Sequence, residues 1–197
     1  MEEVLPGVFH WKAVHPRIKI EVGCHFVAGS RTAIDPLLPE EGIEWFDERG
    51  VERVVLSNRH HLRQAPEIAE RFGCPILCHE AGLHEFEGGP AVEGFAFGDR
   101  LAEDVVAIEM DAICPEDTVL RIEAGGGALL FADSLIDYGG IGFVSDRHLG
   151  DDPDAVKRLI REKAAALLDE EFEHLLFAHG EPLIGGGREA LRDFLAA

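Results

Sequence analysis

The order of apolar runs along the chain constrains its fold more than any single motif does. "HPRIKIEVGCHFVAGSRTAIDP" (15–36) alternates apolar and polar residues through Ile18, Ile20 and Val22, resumes near Phe26 and Ala33, and stops at Asp35-Pro36. That is the pattern of two antiparallel strands. "LPEEGIEWFDERG" then sets Ile43, Trp45 and Phe46 at helical spacing with Gly50 as a stop, and "VERVVLS" (51–57) reads as a short buried strand. "APEIAERFG" (65–73) is a helix with Pro66 in its first turn and Gly73 at its end, followed by a strand at "PILCH" (75–79). After a turn-rich stretch with strands at "VEGFAF" and "VVAIEM", the plan repeats. A hairpin runs from Thr118–Ile122 through Gly125–Gly127 to Ala128–Ala132, and "DDPDAVKRLIREKAAALLDEEF" is a helix capped near Asp152 with Pro153 at its first position. "EHLLFAHG" is the last strand and "GREALRDFLAA" the last helix. A strand meander, then strands interleaved with helices, then the same plan again, predicts an α/β layered sandwich. At 197 residues we read it as a single domain, 1–197.

This order is unlike a doubly wound dinucleotide fold. No GxGxxG opens a helix after the first strand, and "GGGREAL" lacks the Lys and Ser/Thr of a phosphate loop. A formal net charge of -20 repels nucleic acid phosphates and anionic lipid surfaces. The N-terminus has no basic segment leading into an apolar run, and no stretch approaches the roughly 20 apolar residues of a membrane span. The expectation is a cytoplasmic protein without nucleic acid or membrane partners; its oligomeric state is left open. Cys24, Cys74, Cys78 and Cys114 form no CxxC and read as reduced thiols. No Ser lies in GxSxG, so nucleophilic hydrolase chemistry has little support.

Ionisable residues stand where the apolar strands end. "VVLSNRHH" places Asn58, Arg59, His60 and His61 between a strand and a helix, while "LLFADS" and "LLFAHG" each put one such residue, Asp133 or His179, after four apolar ones. A carboxylate in that position is costly if buried without partners. With "AIDP" (33–36) and "CPEDT" (114–118), these segments resemble, in order and spacing, those of the metallo-β-lactamase fold superfamily over nearly the whole chain. "LSNRHHLRQA" stands where that family has HxHxDHxxGA, "CPEDT" where it has PGHT, "LLFADSLI" where it has a GD segment, and "LLFAHGEPL" where it has a closing GHG. The fold implied is a four-layer αββα sandwich, and the chemistry implied is metal-dependent hydrolysis. Bound metal lowers the pKa of water toward roughly 7.

Carried over position by position, the resemblance is incomplete. The first metal's histidine positions fall on Leu56, Asn58 and Asp117, and Leu56 cannot ligate. The second metal's positions fall on His60, in place of an Asp, and on His61 and His179, with Asp133 at the bridging position. Three imidazoles and a carboxylate suit Zn²⁺, or Fe²⁺ or Mn²⁺ with added waters. The resemblance therefore implies one divalent metal held by His60, His61, Asp133 and His179, with Asp117 a candidate catalytic acid. It would act on a small ester, thioester, amide or phosphoester. Blander readings stand beside these. Adjacent residues on a regular strand face opposite ways, so His60 is equally a solvent residue with His61 alone in the cleft. Asp117 is also an ordinary turn residue, His179 a turn cap, and His10, His15 and His25 surface residues. Loss of the first-metal positions also fits a metal-free, inactive member of the fold that binds a ligand or partner.

Overall fold

The computed structural model describes residues Met1–Ala197. Seven strands form one sheet in chain order: β1 (Glu2–Leu5), β2 (Val8–Val14), β3 (Glu21–Val27), β4 (Thr32–Ile34), β5 (Arg53–Leu56), β6 (Ile76–His79) and β7 (Glu93–Phe95). β1 to β4 pair antiparallel, and β4 to β7 pair parallel. The parallel connections carry α1 (Glu44–Asp47) and α2 (Ala65–Phe72), and α2 ends at Gly73 in the left-handed conformation. β8 (Arg100–Ala102), β9 (Val105–Glu109), β10 (Thr118–Ile122) and β11 (Ala128–Phe131) then form an antiparallel meander. A small pair, β12 (Ile136–Asp137) and β13 (Ile141–Gly142), leads to α3 (Pro153–Ala166). The Asp152 carboxylate accepts from the Ala155 N–H at 2.9 Å and caps this helix. β14 (His174–Phe177) returns parallel to β11, and α4 (Gly187–Ala196) closes the chain. No helix is long and apolar enough to cross a membrane.

Strand periodicity explains the layers. On β11 and β14, Ala128, Leu130 and Leu176 turn toward the other sheet, while Leu129, Phe131, Leu175 and Phe177 turn outward against Ile160 and Ala164 of α3 and Leu191 of α4. On the first sheet, Val27, Ile34 and Val55 meet the second sheet, while Phe26, Val54 and Leu56 face Phe46 of α1 and Ala65 and Ile68 of α2. Three apolar layers separate four structural ones, giving the αββα sandwich. Both faces of the inner strands are buried, which is why "ALLF" and "HLLF" read as continuous apolar runs. Each large side chain so buried contributes on the order of 1.5–3 kcal/mol.

Three expectations change. β1 and β2 precede the first strand read from the sequence. Ile18 and Ile20 lie in the β2–β3 turn and are exposed, because His15 Nδ1 accepts from the N–H groups of Arg17 and Ile18 and Lys19 takes a left-handed φ of 59°. His10 and His25 are not surface residues. They face each other on β2 and β3, buried, with Nδ1 of the first 3.1 Å from Nε2 of the second.

The two sheets come into direct backbone contact at the strand ends that carry the ionisable residues. Gly23 donates its N–H to the Ala178 carbonyl at 2.7 Å, and a Cβ there would lie 2.4 Å from the Phe177 carbonyl oxygen. No larger residue fits without moving backbone.

Candidate metal centre

β5 ends at Leu56, whose side chain is part of the core under the helices and does not face the cleft. Beyond it Ser57 and Asn58 leave the sheet, and Arg59–His61 form one 3-10 turn. The Asn58 side chain accepts from the His60 N–H at 2.9 Å, and its carbonyl accepts from the His61 N–H at 2.9 Å. This capped turn resolves the adjacent histidines. His61 turns inward and is buried, and His60 turns outward and is exposed.

Asp133 and His179 arrive by a simpler route. β11 and β14 are parallel neighbours with Phe131 opposite Phe177, so two residues further on Asp133 and His179 stand side by side at the same sheet end. His179 Nε2 lies 3.0 Å and His61 Nε2 3.4 Å from Asp133 Oδ1. One donor atom from each of His61, Asp133 and His179 lies within 4.8 Å of the others. His60 is outside this group, which corrects the four-ligand expectation to three gathered residues: its imidazole leaves the capped turn on the solvent side.

Asp35 is the site residue that the sequence reading missed. It follows β4 with a left-handed φ of 47°, and its buried carboxylate accepts from the Ser57 N–H at 2.8 Å, from the Ser57 hydroxyl, and from His61 Nδ1 at 3.0 Å. A carboxylate on Nδ1 fixes that nitrogen as the lasting proton carrier and orients Nε2 toward Asp133, so that Nε2 is the nitrogen that becomes a ligand once it gives up its own proton, the arrangement found behind metal-bound histidines. The one signal in the sequence is the Asp-Pro pair closing a strand. Burial by itself would depress the His61 pKa, but the Asp35 and Asp133 carboxylates outweigh it and raise the pKa to about 9. Burial works the opposite way on Asp133, and the two histidines hold its carboxyl well below the usual range.

Asp117 lies alongside, fully buried. Its Oδ2 accepts from the Ser134 hydroxyl at 2.7 Å, and its Oδ1 has no partner. Burial pushes its pKa up to about 7; the Asp133 charge adds to the rise and the Ser134 hydrogen bond opposes it. Asn58, at the other surviving first-metal position, donates from Nδ2 to Cys114 Sγ at 3.3 Å. Two imidazole nitrogens and a carboxylate oxygen, one imidazole anchored from behind, are a chemically fitting donor set for a divalent ion.

No protein-family model matches this sequence, and no curated protein matches it either. Solved structures do. A metallo-beta-lactamase from Pontibacter korlensis superposes with a TM-score of 0.69 at 14% identity, covering 99% of this chain and 96% of that one. A metallo-beta-lactamase family protein from Thermus thermophilus gives 0.69 at 14% identity over 98% and 80%. This chain has the metallo-β-lactamase fold. A flavo di-iron protein mutant from Thermotoga maritima superposes with a TM-score of 0.66 at 17% identity, over 96% of this chain and 58% of that one. Within that fold, the structure places His61, Asp133 and His179 together at the strand ends, Asp117 near Asp133, and Leu56 and His60 turned away.

Proposed function

We propose that the chain is a metal-dependent hydrolase with a single-ion centre, acting in the cytoplasm on a small ester, thioester, amide or phosphoester. The observation that supports this best is the convergence of His61, Asp133 and His179 within 4.8 Å, with Asp35 anchoring His61 from behind. His61 Nε2, Asp133 and His179 Nε2 would hold the ion, zinc or else iron or manganese. Such an ion supplies Lewis acidity toward the scissile carbonyl or phosphoryl oxygen and makes water acidic near neutral pH.

The chain's own groups supply the rest. Asp35 holds a proton on His61 Nδ1, so that Nε2 is the nitrogen left to ligate when the imidazolium loses its other proton. Asp133 spans the two histidines and carries the negative charge of the centre. Asp117, with a pKa raised to about 7 and a free Oδ1, is suited to take a proton from attacking water or return one to a leaving group. Leu56 and Asn58 at the other first-metal positions favour one ion over two.

A second reading has its own support. Asp133 already pairs with both histidines, at 3.0 Å from His179 and 3.4 Å from His61, so protonated imidazoles alone can balance its charge. A metal-free, ligand-binding member of the fold would look the same. Metal analysis on protein purified without a histidine tag separates the two. The hydrolase reading expects about one equivalent, lost in the His61→Ala plus His179→Ala variant. Less than about a tenth of an equivalent in the parent protein would leave the ligand-binding reading.

A further inference from the structure

Arg63, two residues beyond His61, is a cation whose hydrogen bonds all go to neutral groups, two backbone carbonyls and the Cys24 sulfur. Its φ of 43° puts a non-glycine residue in the left-handed region, a conformation costing on the order of 1–3 kcal/mol that surrounding structure must impose. The guanidinium is carried back across the strand ends, where Nη1 donates to the Gly23 carbonyl at 2.7 Å and the Asp35 carbonyl at 2.6 Å. Nη2 is buried with no partner. The carboxylates around the cleft are engaged elsewhere: Asp35 on Ser57 and His61, Asp133 on two histidines, and Glu21 and Glu181 on Lys12.

Its bond to the Asp35 carbonyl locates it at the candidate centre, because the carboxylate of the same residue holds His61 Nδ1. His15, in the β2–β3 turn, has its pKa lowered first by burial and then by the Arg63 charge, and it also feels His61 and His179. Tyr138, just after β12, has its pKa raised by burial and by Glu21, with Arg63 among the opposing charges. The Tyr138 hydroxyl donates to the Glu21 carbonyl at 3.4 Å, so one rim joins that segment to the start of β3. The guanidinium therefore bridges the start of β3 and Asp35, the residue that anchors His61. A backbone staple needs only the donors of Nη1. It does not need a formal charge with a spare donor pair, which is costly in a half-buried place without a counter-ion. In a chain of net charge -20, an anionic ligand also needs a dedicated cation to be held against the overall field.

We propose that Arg63 is the anion-recognising group of this site, and that the substrate carries a carboxylate or phosphate group that pairs with the guanidinium while its scissile bond lies at His61, Asp133 and His179. The substrate assignment rests on the hydrolase reading, whereas the anion site itself does not. The planar fork of a guanidinium matches either oxyanion, and the Nη2 edge is the part left unpaired.

The test is calorimetric titration of tag-free protein with inorganic phosphate, and in parallel with acetate, in metal-loaded and metal-stripped forms. Arg63→Met and Arg63→Lys are compared with the parent, with metal content and circular dichroism recorded for each. Phosphate or acetate should bind the parent in both forms, and whichever anion binds more tightly names the source. Arg63→Met should weaken binding at least about tenfold at unchanged metal content, and Arg63→Lys should recover part of the loss because it keeps the charge but not the fork. Should Arg63→Met fail to fold, the parent and Arg63→Lys decide the matter: a folded lysine variant binding as tightly as the parent overturns the proposal. Failure of both anions to bind the parent, equal affinity in Arg63→Met, or binding that vanishes when metal is stripped also overturns it. Metal content reports on the hydrolase reading independently.

Discussion

Replacing Asp117 with Asn should stabilise metal-stripped protein more at each step in pH from 5 to 8. Asp117 is fully buried, and burial with the nearby Asp133 charge raises its pKa from 3.8 to about 7 in the folded chain. Between those values the folded protein holds a proton that the unfolded chain has released, so stability falls as pH rises and the loss is complete just above pH 7. At about 1.36 kcal/mol per pH unit, the full loss is on the order of 4 kcal/mol, of which roughly 2 to 3 develops above pH 5. The Asn variant removes this dependence and keeps an acceptor for the Ser134 hydroxyl. Its amide inherits the unpartnered position of Oδ1, at a pH-independent cost of about 1–3 kcal/mol. The slope against pH, more than the offset, therefore carries the argument. Urea unfolding of both proteins in chelator at pH 5, 6, 7 and 8 measures it. Parallel stability profiles across that range would refute a buried, raised-pKa Asp117.

Further outcomes follow from the same geometry. His60→Ala should leave metal content unchanged in equilibrium dialysis, whereas His61→Ala should abolish it, because the capped turn faces them oppositely. Asp35→Asn should lower metal affinity about 10- to 100-fold in chelator competition, having lost the group that anchors His61 Nδ1. Metal affinity should rise with pH, by about tenfold per unit until near 9, because His61 is held protonated up to about 9 and must lose that proton to ligate. Gly23→Ala should lower the melting temperature by several degrees, at roughly 2–4 °C per kcal/mol, since its Cβ would lie 2.4 Å from the Phe177 carbonyl oxygen.

Much of the fold was legible in the chain because strands and helices carry their own periods. Alternation and Gly/Pro punctuation marked β3, β5, β6, α2, β10, β11, α3, β14 and α4, and their order marked a layered sandwich. The same reading failed at Ile18 and Ile20, where an apolar alternation belongs to a turn held by His15. It also stopped short of β1 and β2, and so placed His10 and His25 at the surface.

The candidate site divides along similar lines. Asp133 and His179 each follow four apolar residues on a strand, and a side chain in that position leaves a buried sheet at its end; sequence alone was sufficient to mark them. Tertiary structure was needed to show that β11 and β14 are parallel neighbours in register, which brings those two residues together across 46 positions of chain. It also chose His61 over His60, since the direction of a side chain in a single 3-10 turn follows from its cap and not from any repeat. Asp35 and Arg63 had the weakest marks in the sequence. Their roles come from hydrogen bonds made across 26, 28 and 40 positions of chain, and contacts of that range are set by packing, which no local pattern encodes.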